Sequence, residues 1–228
     1  MLELRIGGDG LTGQEFVEEL DKRNREALDK LGRDSAAGEA PQSLTVERLL
    51  KVALKNEIEA TETAAMWMPS TRELDVKLAL ARQCGDEAKH YRLIAERLKE
   101  LGEDSDTINP LEGGYSPLFK FLGSIEGTPA RIAAGQFTRE GIAVVRNQHF
   151  IDFCLSRNDV KTAELYSEVI QKDELHHHQT GRQLLSRYCA DDSAQHEARE
   201  AARRTLELAE EIQEMARLKA GISRAPGC

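Results

Sequence analysis

Two short stretches of this sequence carry side chains that can hold metal ions: Asp86-Glu87-Ala88-Lys89-His90 and Asp173-Glu174-Leu175-His176-His177. Residues three apart share one face of a helix, so Glu87 with His90, and Glu174 with His177, can reach one common pair of ions. Each stretch follows a helical segment carrying one further inward-facing glutamate, Glu57 and Glu140, at separations of 87 − 57 = 30 and 174 − 140 = 34. Two glutamates from one pair of helices and two Glu-x-x-His pairs from the other make the ligand set of a di-iron or di-manganese carboxylate bundle. Hard carboxylates with one imidazole per ion hold iron while leaving positions open for O2. Glu87 and Glu174 are expected to bridge the ions, Glu57 with His90 to complete one set, and Glu140 with His177 the other.

Both histidines also have an aspartate four residues before them. A metal-bound imidazole normally donates its other N–H to an acceptor such as a carboxylate. Asp86 and Asp173 are placed to accept it crosswise, Asp86 from His177 and Asp173 from His90. Four glutamates converging on an apolar interior would be prohibitively costly alone, and two divalent cations compensate them. Glu59 and Glu62 lie close to Glu57 but keep less well to the stripe of Leu50, Leu54, Thr61 and Ala64.

Long helices must position these residues. Aromatics are only 5% of the chain and alternating β-branched runs are missing, which points to an all-α fold. Residues 1–42 read as an N-terminal extension with one helix, 43–190 as a dimetal four-helix bundle, and 191–228 as a C-terminal helix and tail. The lead-in 1–10 is irregular. The first helix runs from Thr12 to Leu31 with Gly32 as its stop, and 33–42 is a linker ending near Pro41. Ser43 or Thr45 caps a helix to about Met68, stopped by Pro69-Ser70, and a second helix follows from about Thr71 to Leu101. The other hairpin turns at Arg157-Asn158-Asp159. At a rise of ~1.5 Å per residue, both hairpins place their glutamates near mid-bundle. Between them, 102–127 is rich in Gly and Pro and reads as one long crossover. A helix from Ser193 to Lys219, ended by Gly221, either covers the bundle or pairs with a second subunit, which makes a homodimer a candidate assembly.

Other residues carry weaker signals. His176 and His178 point about 100° to either side of His177 and read as solvent-facing or supporting groups; His149 and His196 read as surface residues. Tyr166 reads as a core residue with a bonded hydroxyl, Cys84 as a small core residue, and Trp67 as packing at a helix end. Gly85, Gly141 and Gly181 each cost roughly 1 kcal/mol inside a helix. Either close helix packing or space for a substrate explains them, with Gln136, Thr138 and Thr61 as candidate lining.

With 31 basic and 40 acidic residues in 228, scattered rather than run together, no basic stripe suggests nucleic acid. No apolar run spans a bilayer, and Met1-Leu2-Glu3-Leu4-Arg5 does not start a signal peptide. Cys84, Cys154, Cys189 and Cys228 form no Cys-x-x-Cys pair, zinc pattern or disulfide framework, which fits a reduced cytoplasmic enzyme without a rubredoxin-type iron site.

The stretch from about 44 to 188 resembles the ferritin-like di-iron carboxylate superfamily, in its oxygenase and reductase branches. The narrowest likeness is to the phenylacetyl-CoA oxygenase group: Glu57 followed by Trp67, then Asp86-Glu87-Ala88-x-His90, is similar to its first half, and Glu174-x-x-His177 with Gly181 to its second. The resemblance implies a ferritin-like four-helix bundle with one long crossover and additional N- and C-terminal helices. It also implies two iron ions, with manganese the alternative, and O2-dependent oxidation of a small organic substrate. No flavin, P-loop or Rossmann pattern is present, so the electrons would come from a separate reductase. The rival readings are a ferroxidase or peroxide-reducing iron-handling protein, and a structural partner subunit of an oxygenase complex.

Overall fold

Apolar residues recurring at the helical period organise the chain, and the computed structural model describes it over residues 10–36, 43–223 and 225–227. Every regular element among those residues is helical, and they include no strand. In chain order, α1 spans Gly13–Ala36, α2 Val46–Trp67, α3 Leu74–Glu100 and the short α4 Pro117–Gly123. Helix α5 covers 128–156 and joins Thr128–Ile132, a π-helical segment Ala133–Arg139, and Glu140–Ser156. Helix α6 covers 160–188 in the same way, as Val160–Leu165, π-helical Tyr166–Ile170, and Gln171–Tyr188. Helix α7 is Asp192–Ala220. No helix among the described residues is long and apolar enough to cross a membrane.

Local chemistry sets these boundaries. The Thr45 hydroxyl accepts from the Arg48 amide and caps α2, while Asp159 and Asp191 do the same for α6 and α7 through Thr162 and Ala194. The α5–α6 turn is made by Asn158 at φ 61°, a left-handed conformation that asparagine tolerates better than most residues. Gly221, at φ 59°, ends α7. Gly32, however, does not end α1. A Cβ there would sit 3.0 Å from His149 Cε1 and 3.1 Å from Val145 Cγ1, so the missing side chain lets α1 press against α5 and the helix continues to Ala36. The linker therefore begins later than the composition suggests. Residues 37–42, the lead-in 1–9 and Cys228 lie outside the described residues.

The connection from 101 to 127 is partly structured, with a 3-10 turn at Ser105–Thr107 and then α4. The Glu59 carboxylate ties it to α2, accepting from the Ser116 amide at 2.7 Å and its hydroxyl at 2.6 Å. Helix α7 covers the interior: Leu206 and Ala209 pack with Leu31 of α1 and Ile142 of α5.

Two larger apolar clusters define what lies between them. One contains Trp67, Leu80, Phe137 and Leu185; the other contains Leu54, Ile94, Phe150 and Ile170. Along each of α2, α3, α5 and α6 the chain passes from one cluster to the other, and in every case the crossing occurs at glutamate: Glu57, Glu87, Glu140 or Glu174. Fully burying a large apolar side chain contributes roughly 1.5–3 kcal/mol, so the clusters clamp an acidic layer that could not organise itself.

Two glycines give opposite expectations. A Cβ on Gly181 would lie 2.6 Å from the Gln136 carbonyl carbon and 2.7 Å from its oxygen, so this glycine lets α6 touch α5. Gly85 is exposed and has nothing within 4 Å of the corresponding position. Gly181→Ala should destabilise the protein by about 1–3 kcal/mol through overpacking. Gly85→Ala should stabilise it by about 0.5–1 kcal/mol through lost backbone freedom in the unfolded chain. Urea denaturation of the two variants checks the signs.

Candidate metal centre

Glu57 on α2, Glu87 and His90 on α3, Glu140 on α5, and Glu174 and His177 on α6 are all buried. They form two overlapping groups that can hold metal ions: Glu57, Glu87, His90 and Glu174, and Glu87, Glu140, Glu174 and His177. Within each group the potential ligand atoms lie within 4.8 Å of one another. His90 Nδ1 is 3.4 Å from carboxylate oxygens of both Glu57 and Glu87 and 3.7 Å from Glu174. His177 Nδ1 is 3.6 Å from Glu174, 3.7 Å from Glu87 and 4.0 Å from Glu140. Glu59, the nearby alternative on α2, is engaged by Ser116 instead.

The outer nitrogen of each ring faces the aspartate of the opposite motif. His90 Nε2 lies 3.1 Å from Asp173 Oδ2, and His177 Nε2 lies 3.1 Å from Asp86 Oδ2. Lys89 donates to Asp173 at 2.6 Å, and Arg82 reaches Asp86 at 3.4 Å, so cations back both aspartates from the solvent side. Both rings are therefore held from outside. Their inner Nδ1 atoms and Glu174 Oε2 are buried without a hydrogen-bond partner.

Gln83 and Arg139 belong to the same layer, and sequence reasoning passed over them. Gln83 Nε2 donates to Glu140 Oε1 at 2.6 Å and lies 3.4 Å from Glu87 Oε1. Arg139 lies 3.4 Å from Glu140 Oε1 and donates to the Asn56 carbonyl at 3.2 Å. Gln83 had a usable signal, standing one turn before Glu87 on the same face. Arg139 had none, because its burial depends on the π-helical turn that ends there and brings Glu140 into the layer.

The same proximity shifts the protonation of the layer. Burial and the charge of Glu87 push Glu57 up to about 7, and the same two causes push Glu174 up to about 8. Burial and the neighbouring Glu174 raise Glu140 well above the usual carboxylate range. Burial opposes charging His90, but the facing carboxylates outweigh it and push the ring up to about 12. At 3.4 Å neither Glu57 nor Glu87 makes a well-formed hydrogen bond to Nδ1, so their influence is one of charge. Protons thus do the compensating that cations would otherwise do. Converging hard oxygens, two imidazoles anchored from outside and unpartnered inner atoms fit a bound cation.

Several supporting readings change. Tyr166 is fully buried but its hydroxyl has no hydrogen-bond partner, and burial with the charge of Glu57 raises its pKa well above the usual range. Thr138 is occupied by Asn24 Nδ2 at 3.0 Å, and Thr61 by the Glu57 carbonyl at 2.8 Å. Gln136 is buried with Oε1 unpartnered. Gly181 accommodates backbone and Gly141 faces His178 and Leu28, so these two serve packing, whereas Gly85 lies on the surface with nothing near its Cβ position. His178 stacks on Phe137 and reaches its carbonyl at 2.7 Å. His149 is half-buried against Gly32, not a surface residue, while His196 is exposed. No family model and no curated protein matches this chain.

The raised pKa values dictate a pH dependence. Glu57 and Glu174 contribute stability that is fully present below their unfolded value near 4.5 and lost as pH rises through about 7 and about 8. His90, raised from 6.5, acts in the same direction above neutral pH. Chelator-treated protein should therefore melt at a lower temperature at about pH 8 than at about pH 5, and added Mn2+ should raise its Tm most at the higher pH. Differential scanning calorimetry at both pH values reads this; a Tm that climbs with pH in the chelated protein contradicts it.

Proposed function

We propose that this chain is a ferritin-like dinuclear carboxylate protein that catalyses O2-dependent oxidation of a small organic molecule, using electrons from a separate reductase. The observation that carries this reading is the pair of overlapping ligand groups sharing Glu87 and Glu174, each with one inward imidazole. In it, Glu57 and His90 would hold one ion, Glu140 and His177 would hold the other, and Glu87 and Glu174, which belong to both groups, would contribute to both. Helices α2, α3, α5 and α6 correspond to a ferritin-like four-helix bundle, with 101–127 as its long crossover.

Two iron ions held there, with manganese the alternative, would supply the redox chemistry that couples O2 reduction to oxidation of the substrate. The protein's own groups do the rest. Asp86 and Asp173 accept from the outer imidazole nitrogens and so present the inner Nδ1 lone pairs to the centre. Gln83 fixes Glu140 by donating to one of its oxygens, leaving the other free to face His177. The apolar clusters on either side keep the layer dry, which strengthens each charge interaction inside it.

Iron handling without an organic substrate is the second reading. It is favoured by Gly141 and Gly181, whose Cβ positions are met by His178 and Leu28 and by the Gln136 backbone, so that neither glycine opens space for a substrate.

Protein expressed in iron-supplemented medium should carry about two metal ions per chain by elemental analysis. His90→Ala and Glu174→Ala should each lose most of that metal. Asp86→Ala and Asp173→Ala should keep the fold and weaken metal binding by roughly 10–100-fold. Wild-type stoichiometry near zero after iron loading rejects the dinuclear assignment. Reduced, iron-loaded protein exposed to 18O2 with a reductase and a panel of small organic molecules should place label in a product. Rapid Fe2+ oxidation with mineral formation and no labelled product selects iron handling, whereas activity only after adding a second subunit selects the partner-subunit role.

A further inference from the structure

A cavity of about 460 Å3, lined by none of the six acidic-layer residues, lies between α2, the end of the crossover, α7 and the tail that follows it. Its volume falls in the range of small-molecule sites. Val52, Leu118, Ile212 and Ile222 give it an apolar lining, and Lys55 and Lys219 are its lysines. Among the described residues no aspartate or glutamate lines this cavity, in a chain with 40 acidic residues. Lys55 Nζ donates to the Gly114 carbonyl at 2.5 Å, which leaves two of its three protons, and stands 3.9 Å from Glu59 Oε1, a carboxylate that also accepts from the Ser116 amide and hydroxyl.

One wall is the tail itself. Asn56 Nδ2 donates to the Pro226 carbonyl at 2.8 Å, and the Gly227 amide donates to Asn147 Oδ1 at 2.8 Å. These bonds strap the tail onto α2 and α5, so that Ile222, Ser223 and Ala225 close the cavity. Gly227 adopts φ 70° with its Cβ position 3.3 Å from Asn56 Cβ, a close approach that a larger residue would strain. The tail is thus built into the cavity rather than draped over it.

We propose that this cavity binds an organic anion with an apolar chain, the chain lying along Val52, Leu118, Ile212 and Ile222 and the anionic group at Lys55 and Lys219. Apolar lining provides affinity, and a lining that carries two lysines and, among the described residues, no carboxylate selects the sign of the charge. The inference concerns binding alone and stands independently of the oxidation proposed above.

Isothermal titration of the purified protein, without O2 or reductant, tests it with three probes that share a ten-carbon chain: decanoate and decyltrimethylammonium below their micelle concentrations, and decanol below its solubility limit. Decanoate should bind one per chain, about five-fold or more tighter than the cationic probe, with decanol between them. The double variant Lys55→Gln/Lys219→Gln should bring the three affinities within about two-fold of one another. Filling the cavity by Ala216→Trp on α7, or by Ser223→Trp in the tail, should weaken decanoate binding by about ten-fold or more while circular dichroism stays unchanged. Absence of saturable decanoate binding overturns the proposal, as does a cationic probe that binds as tightly, or decanoate affinity that survives both filling variants. Because no metal or O2 enters the titration, these failures leave the dinuclear reading standing, and a metal-free protein that binds decanoate leaves this one standing.

Discussion

Four carboxylates facing one another in a dry interior repel strongly, and that repulsion is the constraint around which the other elements are arranged. Glu57, Glu87, Glu140 and Glu174 are each at most 3% exposed. Apolar clusters on both sides hold the four helices at the spacing that brings the carboxylates together. Without compensation the layer would cost more than any single contact in the fold returns. Burial and the facing charges favour the protonated forms of Glu57, Glu140 and Glu174, and the surrounding carboxylates favour the charged form of His90. Such an arrangement makes stability, protonation and cation binding a single linked equilibrium.

Rigidity comes from the outside inward. Asp86 and Asp173 fix the rings, and Lys89 and Arg82 hold the aspartates, so each inner nitrogen is oriented by a chain of two contacts reaching the surface. Crosswise pairing also ties α3 to α6 at the level of the acidic layer. The same contacts that aim the donors therefore hold the two hairpins together.

Much of this was legible because it is local or periodic. Glu-x-x-His spacing places two donors on one helical face, and Asp-x-x-x-His places a third group one turn away; neither depends on a distant neighbour. Thr45, Asn158 and Gly221 mark boundaries through their own chemistry, and the structure uses all three. What stayed hidden depends on which surfaces meet. Gly32 and Gly181 look alike in sequence to a helix stop and a pocket-maker, yet each admits a neighbouring element at close range. The π-helical segments before Glu140 and Glu174 have no compositional mark, since one extra residue per turn is tolerated only where packing gains from it. The strap between the tail and Asn56 and Asn147 joins residues 170 and 80 positions apart, which no periodicity reveals.

Near-symmetry of the two motifs conceals an unequal pair of positions. On the Glu140 side, Gln83 occupies one carboxylate oxygen and the Arg139 guanidinium stands close by. On the other side Glu57 faces His90, with its charge felt by the buried Tyr166, whose hydroxyl has no partner. One side of the layer is thus hydrogen-bonded and partly charge-balanced, and the other is balanced chiefly by the imidazole. A carboxylate already accepting hydrogen bonds is the weaker donor to a cation, and one left in an apolar setting the stronger. The duplicated motif therefore supplies the geometry of a matched pair, while Gln83, Arg139 and Tyr166, which the duplication does not repeat, make the two halves chemically distinct.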